Sequence, residues 1–252
     1  MLTAGTGTTD VGLVRTNNED FYSVDNEIQL YIVCDGVGGN NAGEVASGLA
    51  CELTKTFIDG HIHILENYLN GHKKTKPILD LINNAVQTAN LTVYDSGQEN
   101  PEFHNMATTF TMLLVVGKKG FYAHIGDSQL YRVQNDEIEM LTTDHTIANE
   151  MLHEGTPEEE IPVRFHNILS RAIGLMGHTP IDTLAFDVQH GDRFLLCSDG
   201  LTNYVHEDDF IDGLFTLDHE ESLNILVQGA KTGGGHDNIT AILIDCFDEN
   251  LI

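Results

Sequence analysis

The sequence predicts an α+β fold, and two observations lead to that prediction. First, seven segments rich in β-branched and aromatic residues follow one another closely, some through short turns at 117–119 and 135–136, which favours antiparallel pairing. Second, apolar residues recur at helical spacing in only a few longer segments. Because the strands cluster along the chain and do not alternate strictly with helices, an α+β arrangement fits better than a doubly wound parallel sheet.

The individual elements are predicted from their local patterns. Runs of aliphatic, β-branched or aromatic residues predict strands at 29–34, 108–116, 120–125, 130–133, 182–188, 193–197 and 239–246. Helices are predicted at 44–57, 78–93 and 222–230, because the apolar side chains of each segment fall on one stripe. The glycines at 233–235 predict the end of the third helix.

The segment 144–171 carries five glutamates and few apolar runs, so we interpret it as a partly helical surface excursion. From the charge pattern alone, a solvated connection is favoured over a flap that contacts substrate. Both interpretations stay open at this point.

Length and charge limit the domain count and the classes of partner. The chain has 252 residues and contains no repeat or Pro/Ser-rich linker, which predicts a single domain over 1–252. Asp and Glu total 39 against 12 Lys and Arg, a formal net charge of -27. The positive surface of a protein that binds nucleic acid or an anionic membrane is therefore missing, and we expect neither partner.

Cysteine usage and the first residues indicate the compartment. Cys34, Cys51, Cys197 and Cys246 are widely spaced and do not form the framework of a small disulfide-linked domain. The first ten residues, MLTAGTGTTD, lack the basic and apolar regions of a signal peptide, and no apolar run is long enough to cross a membrane. We therefore expect a soluble, cytoplasmic protein with reduced thiols.

Aspartates recur at the ends of the predicted strands. Asp35, Asp127 and Asp199 each follow an apolar run, and Asp237 comes just before one. A turn explains any single one of them. Together, however, carboxylates at one end of a sheet would repel one another unless cations offset their charge. Their oxygen donors suit Mg²⁺ or Mn²⁺, which ligand type alone cannot separate, rather than Zn²⁺.

Two further features adjoin this pattern. The glycines at 36, 38 and 39 of DGVGG allow the backbone to approach a ligand, although a simple turn would also explain them. Arg15 precedes the acidic pair Glu19 and Asp20, and its guanidinium is suited to bind a phosphate, although an ion pair within the chain explains it equally well.

Other phosphate chemistries would leave signatures that this sequence lacks. No Cys is followed six positions later by Arg, and no Asp-x-Asp, P-loop or G-x-S-x-G motif occurs. The sequence therefore offers no obvious covalent nucleophile. A water activated by metal ions is the simplest alternative.

Taken together, these motifs resemble the metal-dependent Ser/Thr protein phosphatases of type 2C, the PPM family, in their compact bacterial form. The resemblance covers nearly the whole chain. Each motif alone is weak, but the ordered set is specific. In chain order the motifs are VGLVRTNNEDFY, YIVCDGVGGNNAGEVAS, MATTFTMLLV, YAHIGDSQLYRV, LTTDHT, HNILSRAIG, DRFLLCSDGL and GGGHDNITAILI.

The resemblance implies a fold and a set of site residues. The fold is a four-layer αββα sandwich, in which two antiparallel sheets pack face to face between helices and the metal site lies at one end. The implied site residues are Asp35 as the bridge between two metal ions, the Gly36 carbonyl on one ion, Asp199 and Asp237 on the other, Glu19 and Asp20 on metal-bound waters, Arg15 on the phosphate, and Asp127 with Asp199 on a third ion.

The resemblance also implies the reaction. A hydroxide shared by two metals would attack phosphoserine or phosphothreonine in line, without a phosphoenzyme, in a monomeric signalling enzyme that opposes a Ser/Thr kinase. Two alternatives remain: a catalytically silent module that binds phosphoproteins, and a hydrolase of small phosphate esters. Retention of the expected metal-binding carboxylates argues against the silent module.

The chain departs from the family pattern at three positions. Val37 stands where many eukaryotic relatives have a histidine that is proposed as general acid, and Asn40 and Gln129 replace a common histidine and a common arginine. We expect the last two changes to alter substrate fit rather than the chemistry. His236 and Asn238, which flank the last aspartate, are additional candidates; for His236 a structural role is favoured over proton transfer.

Overall fold

The structure is a computed structural model, and it describes residues 1–37 and 42–248. Gly38, Gly39 and Asn40, which the sequence singled out, lie outside the described residues. The strands of the described chain are β1 (Leu2–Asp10), β2 (Phe21–Asp25), β3 (Leu30–Cys34), β4 (Gly36–Val37), β5 (Ala107–Thr108), β6 (Phe110–Val116), β7 (Lys119–Ile125), β8 (Gln129–Gln134), β9 (Glu137–Met140), β10 (Asp182–Asp187), β11 (Arg193–Cys197) and β12 (Ile239–Phe247).

Three helices of the described residues precede β5, and four follow β9. They are α1 (Gly43–Asp59), α2 (His63–Asn67), α3 (Lys76–Glu99), α4 (Ile147–His153), α5 (Asp199–Thr202), α6 (Glu207–Phe215) and α7 (His219–Thr232). Shorter helical turns lie at Tyr68–His72, Pro101–Phe103, Glu158–Glu160 and Val163–Asn167.

Ten of the described strands form two antiparallel sheets. Sheet I has the order β1-β12-β11-β8-β9, and sheet II has the order β10-β7-β6-β3-β2. In sheet I, β1 pairs with β12 along its whole length, from Leu2 opposite Phe247 to Asp10 opposite Ile239. The remaining strands, β4 and β5, pair with each other.

The two sheets pack face to face, and helices cover their outer faces. In β3, Leu30, Ile32 and Cys34 pack with α1 and α3, whereas Tyr31 and Val33 pack between the sheets. The outer face of sheet I packs against α5, α6 and α7. Burial on both faces explains why the central strands are continuous apolar runs rather than alternating ones. The expected four-layer αββα sandwich is confirmed.

All predicted strands and helices are present, but several bounds differ. The strand predicted at 29–34 begins one residue later in the structure, at Leu30, because Gln29 adopts a left-handed φ of 58° at the preceding turn. The strand predicted at 108–116 is divided into β5 and β6 at Thr109. Asn135 and Asp136 both have positive φ in the turn before β9, as a tight hairpin requires.

The sequence missed the elements whose residues are small, polar or few. These are β1, β2, β4 and β9 among the strands, and α2, α5 and α6 among the helices. The segment 144–171 contains α4 and two short helical turns, so it is partly helical.

Side chains cover part of the outer edge of β1. The Asn26 carboxamide accepts a hydrogen bond from Gly5 N–H (2.7 Å) and donates one to the Gly5 carbonyl (3.2 Å). Two residues further along, the Tyr22 hydroxyl donates to the Gly7 carbonyl (3.2 Å). These bonds take the place of a neighbouring strand at two positions of the edge.

The structure also bears on the thiols and on membrane insertion. All four cysteines are free and buried, as expected. Among the described residues, no helix combines the length and the hydropathy that a membrane crossing requires.

Candidate metal centre

A cavity of about 430 Å³ lies where strands of both sheets end. Eight of the ten site residues that the sequence singled out line it: Arg15, Glu19, Asp35, Gly36, Asp127, Asp199, His236 and Asp237. Asp20 and Asn238 do not line the cavity. The aspartates reach it from both sheets, because Asp35 follows β3 of sheet II, whereas Asp199 and Asp237 adjoin β11 and β12 of sheet I.

Two threonines fix the backbone of Asp35. Its N–H donates to Thr109 Oγ1 (2.8 Å), and its carbonyl accepts from Thr109 N–H (2.8 Å) and Thr108 Oγ1 (2.9 Å). Thr109 Oγ1 also bonds to Ser128 Oγ (2.7 Å), the neighbour of Asp127. The backbones that carry Asp35 and Asp127 are therefore linked through two buried hydroxyl groups.

Gly36 occupies a position with no room for a side chain. A Cβ at this residue would lie 2.4 Å from the carbonyl of Gly43, at the start of α1, and 2.5 Å from the carbonyl of Glu19. Gly36 N–H donates to that Glu19 carbonyl (3.1 Å). Only glycine allows the strand, the helix and the Glu19 backbone to approach this closely.

Asp20 lies behind the cavity and is only 7% exposed. Its Oδ2 accepts a hydrogen bond from Ser198 Oγ (2.8 Å), while its buried Oδ1 has no hydrogen-bond partner among the described residues. Burial raises the pKa of Asp20 to about 7, and the nearby carboxylates of Asp199 and Asp237 add to the shift against the hydrogen bonds that lower it.

Asn238 fastens the N-terminal loop to sheet I. It is buried, and its Oδ1 accepts from Glu19 N–H (2.8 Å). Its Nδ2 donates to the carbonyls of Val11 (3.1 Å) and Asn17 (2.9 Å). Because this loop carries Arg15 and Glu19, Asn238 positions both of them.

The carboxylates around the cavity repel one another. Burial is the main reason that the pKa of Asp35 lies well above its usual range and that the pKa values of Asp127 and Asp199 rise to about 8 and about 6. Neighbouring aspartates raise all three further. This is the charge problem that the sequence predicted for aspartates gathered at one end of the sheets.

The donor set fits a hard divalent cation. Every acidic group at the cavity offers oxygen ligands, and the buried Oδ1 of Asp20 lacks a partner among the described residues. Within residues 1–37 and 42–248, no three His, Cys, Asp or Glu side chains are already gathered as a group that could hold a metal ion. The carboxylates surround the cavity, so binding a cation requires them to turn towards a common point.

Arg15 contacts Asp237 from the N-terminal loop, whereas His236 directly precedes Asp237 in the sequence, and the two are held differently. Arg15 Nη2 donates to Asp237 Oδ2 (2.8 Å), and half of its side chain is exposed. Burial alone would lower the pKa of Arg15, but Asp237 raises it. His236 is exposed and packs its ring 5.4 Å from that of Tyr204. That packing agrees with a structural role for His236.

Several cavity residues were missed in the sequence. Asn203, which follows the last residue of α5, donates from Nδ2 to Asp199 Oδ2 (3.0 Å). Its i,i+4 spacing from Asp199 was the sequence signal that could have predicted this contact. Asn167 and Leu169 of the segment 144–171 also line the cavity, and Leu169 pairs with Thr146 at the other end of that segment. The charge pattern of the segment did not predict that Asn167 and Leu169 lie at the cavity.

The raised pKa values predict how pH affects the metal-free chain. Asp199, Asp20 and Asp127 bind protons more tightly in the folded chain than at their ordinary value of 3.8. Folding is therefore favoured at low pH, and this stabilisation is lost as pH rises through about 6 to 8. In EDTA, we expect Tm to fall by about 5 °C or more between pH 5 and pH 9.

Thermal unfolding across this pH series, with and without Mn²⁺, checks the prediction. Added Mn²⁺ should raise Tm more at pH 8 than at pH 5, because protons compete with the cation for the same oxygens. A metal-free Tm that stays constant or rises over this range would contradict it.

Comparisons with known proteins agree with this site. A sequence model of the family described as protein phosphatase 2C matches residues 7–227. The serine/threonine protein phosphatase PstP of Mycobacterium tuberculosis is 35% identical over 242 residues, which cover 95% of this chain and 44% of that protein. This chain thus spans less than half the length of that relative.

Two further matches span nearly the full length of both chains. The serine/threonine phosphatase Stp of Listeria welshimeri is 32% identical over 250 residues, covering 94% of this chain and 93% of that protein. A crystal structure of the PstP catalytic domain with two manganese ions is 30% identical, with a TM-score of 0.79 over 98% of this chain and 99% of that one. The chain therefore belongs to the protein phosphatase 2C family of serine/threonine phosphatases.

Proposed function

We propose that this chain is an active metal-dependent phosphoprotein phosphatase that hydrolyses phosphoserine and phosphothreonine. The observation that carries the proposal is the cavity lined by Asp35, Asp127, Asp199 and Asp237, with Arg15 at the same cavity. Family relatives that carry the name serine/threonine phosphatase support the same activity.

The aspartates provide the ligands for the cations. Asp35 would contribute to holding two of them, the Gly36 carbonyl would bind one, and Asp199 and Asp237 would bind the other, while Asp127 and Asp199 would hold a third. Mn²⁺ and Mg²⁺ both suit these oxygens, and the PstP catalytic domain has been crystallised with two manganese ions. When bound, the cations lower the pKa of water and neutralise charge on the phosphoryl oxygens.

The remaining site residues bind and orient the reactants. Arg15 binds the phosphate with its guanidinium and releases Asp237 to do so. Glu19 and Asp20 accept hydrogen bonds from water at the site. Because Val37 occupies the position of a histidine in many relatives, we assign protonation of the leaving alkoxide to solvent water. His236 has no assigned step.

The charge of the chain makes a local positive site necessary. A dianionic phosphate that approaches a chain of formal charge -27 is repelled at long range. Arg15 and the cations reverse the sign of the charge at the cavity, so the phosphate is drawn to that place on the surface.

The finer features of the proposal concern partners and organisation. We assign phosphorylated Ser/Thr proteins as substrates, a Ser/Thr kinase as the enzyme that it opposes, and the cytoplasm as its location. The chain acts as a monomer with one catalytic domain over 1–252. Because Asn167 and Leu169 line the cavity, the segment 144–171 is assigned as a flap that contacts substrate.

Replacing Arg15 with alanine is expected to raise KM for a phosphothreonine peptide about tenfold, because a charge-assisted hydrogen bond to the phosphate is lost. The change in kcat should be smaller. Steady-state kinetics of Arg15→Ala and Arg15→Lys check this, and lysine should restore part of the affinity without the bidentate geometry. An unchanged KM would remove Arg15 from the site.

The proposed function is tested by hydrolysis of a phosphothreonine peptide with Mn²⁺, with Mg²⁺ and with EDTA. Activity that requires metal supports the proposal. If a folded chain shows no turnover with either metal, the silent binding module is favoured instead. Faster turnover of small phosphate esters than of phosphopeptides would favour a small-ester hydrolase with the same site.

A further inference from the structure

Asp144 lies directly across from Asp127, although it does not line the cavity. The two segments that carry them run antiparallel: His145 N–H donates to the Gly126 carbonyl (2.7 Å), and Leu141 N–H donates to the Leu130 carbonyl (2.8 Å). Counting along both segments from these bonds places Asp127 opposite Asp144. Two like charges on neighbouring segments repel each other, so this arrangement has an electrostatic cost.

Asp144 has a neutral partner where a cation would offset its charge. Its Oδ2 accepts a hydrogen bond from Gln129 Nε2 (2.9 Å), and Gln129 Oε1 is in turn held by the Tyr131 hydroxyl (2.6 Å). The other carboxylate oxygen, Oδ1, is buried and has no hydrogen-bond partner among the described residues. The negative charge of Asp144 therefore remains uncompensated beside Asp127.

Asp127 lies at the cavity, which Asp144 does not line. Its side chain is only 9% exposed, yet it lines the cavity, and no described side chain donates a hydrogen bond to it. Asp144 is close enough for its charge to act on Asp127. A negative charge at this position attracts a cation that Asp127 binds.

We propose that Asp144 strengthens the binding of a divalent cation between Asp127 and Asp199. It can do so because its side-chain partner, Gln129, is neutral and does not offset its charge. This inference rests on the third cation of the proposed function. Asp144 acts from behind Asp127 through its charge, and Gln129 keeps it in place without neutralising it. The affinity of this site is what Asp144 controls most, because its charge acts on Asp127 and Asp199, which both hold the third cation. The pair of sites at Asp35 shares only Asp199 with it.

The test counts Mn²⁺ ions and measures their affinities by electron paramagnetic resonance of free Mn²⁺, so it does not depend on activity. Gln129→Arg places a cation beside Asp144, and Asp144→Asn removes the charge while keeping the shape. Each is expected to weaken binding of the third ion about tenfold and to change the affinities of the two tighter ions less. Asp127→Ala should remove the third ion and thus identifies it.

The chain offers a matched control at the other end of β8. Gln134 Nε2 donates to Asp192 Oδ1 (2.7 Å), so Gln134→Arg makes the same substitution beside another aspartate away from the cavity. It changes the net charge equally and should leave all three affinities unchanged. Thermal unfolding in EDTA verifies the fold of each variant; if Gln129→Arg does not fold, the isosteric Asp144→Asn decides the test.

The remaining outcomes separate this inference from the proposed function. Unchanged affinity of the third ion in both Gln129→Arg and Asp144→Asn overturns the role of Asp144. A wild-type chain that binds two ions, hydrolyses phosphopeptide and is unaffected by Asp127→Ala overturns the third site and leaves the phosphatase standing. A folded wild-type chain with no Mn²⁺ binding and no turnover overturns both.

Discussion

Replacing Asp35 with asparagine is expected to lower kcat for a phosphothreonine peptide about 10³-fold or more. Asp35 follows β3 of sheet II, while Asp199 and Asp237 adjoin strands of sheet I, so cations held by all three would join the two halves of the site. Loss of the ligand that we propose two cations share would remove several kcal/mol of charge stabilisation in the transition state.

The same substitution should have the opposite effect on the metal-free chain. Burial and the neighbouring aspartates disfavour the Asp35 carboxylate, as its raised pKa shows. Its neutral isostere should therefore raise Tm in EDTA at pH 8. An inactive variant that is at least as stable as wild type would show that the carboxylate serves the chemistry and not the fold.

Steady-state kinetics with Mn²⁺ and thermal unfolding in EDTA measure both effects. Asp187→Asn is a suitable control, because Asp187 is an exposed aspartate of β10 that pairs with Lys119. That variant should keep wild-type kcat. More than a tenth of wild-type activity in Asp35→Asn would show that the assignment of Asp35 is wrong.

Replacing Arg193 with alanine is expected to cost about 3–5 kcal/mol in the free energy of unfolding. Arg193 is 7% exposed, and its guanidinium binds both carboxylate oxygens of Asp245 at 2.6 and 2.8 Å. It also donates to the carbonyls of Leu214 (3.0 Å), Thr216 (2.5 Å) and Leu217 (3.2 Å) at the end of α6. Alanine leaves these carbonyls without their donor and leaves the half-buried Asp245 carboxylate with His219 as its remaining partner.

The pH dependence of the stability that Arg193 contributes follows from the pKa of Asp245. Burial would raise the pKa of Asp245, but hydrogen bonds from Arg193 and His219 hold it at about 2. The pair therefore stabilises the fold fully above the ordinary aspartate pKa of 3.8, and this stabilisation is lost as pH falls towards 2. Wild type and Arg193→Ala should differ most near neutral pH.

Urea unfolding at pH 7 and at pH 3 measures this difference. Lys76→Ala is the control, since Lys76 forms an ion pair with Asp80 in which both side chains are exposed, and such a pair contributes about 1 kcal/mol or less. Neither variant should change kcat of the folded enzyme. A loss below about 1 kcal/mol for Arg193→Ala would contradict the prediction.

The buried parts of the fold were predictable because their signal is local. Runs such as 194–197 and 241–244 are apolar throughout, and the aspartates stand out because each lies close to such a run. In contrast, β1 consists largely of threonine and glycine, and its partner β12 lies more than 200 residues further along the chain. No local periodicity reports a strand that is defined by so distant a partner.

The site shows the same division. Its carboxylates were found from the sequence, but the hydrogen bonds that position them were not. Asn238 holds a loop of residues 11–19 through three backbone contacts, and Asp144 is brought opposite Asp127 by backbone hydrogen bonds between two segments. Both depend on which segments meet in space, and residue type alone does not specify that.

The bonds from Asn26 and Tyr22 to the edge of β1 have a consequence for solubility. An open strand edge offers unpaired N–H and carbonyl groups to which a strand of another molecule can add. In β1 the outward groups of Gly5 and the carbonyl of Gly7 are already engaged, so such a strand would first have to displace two side chains. The Asn26 carboxamide thus protects this sheet from edge-to-edge aggregation.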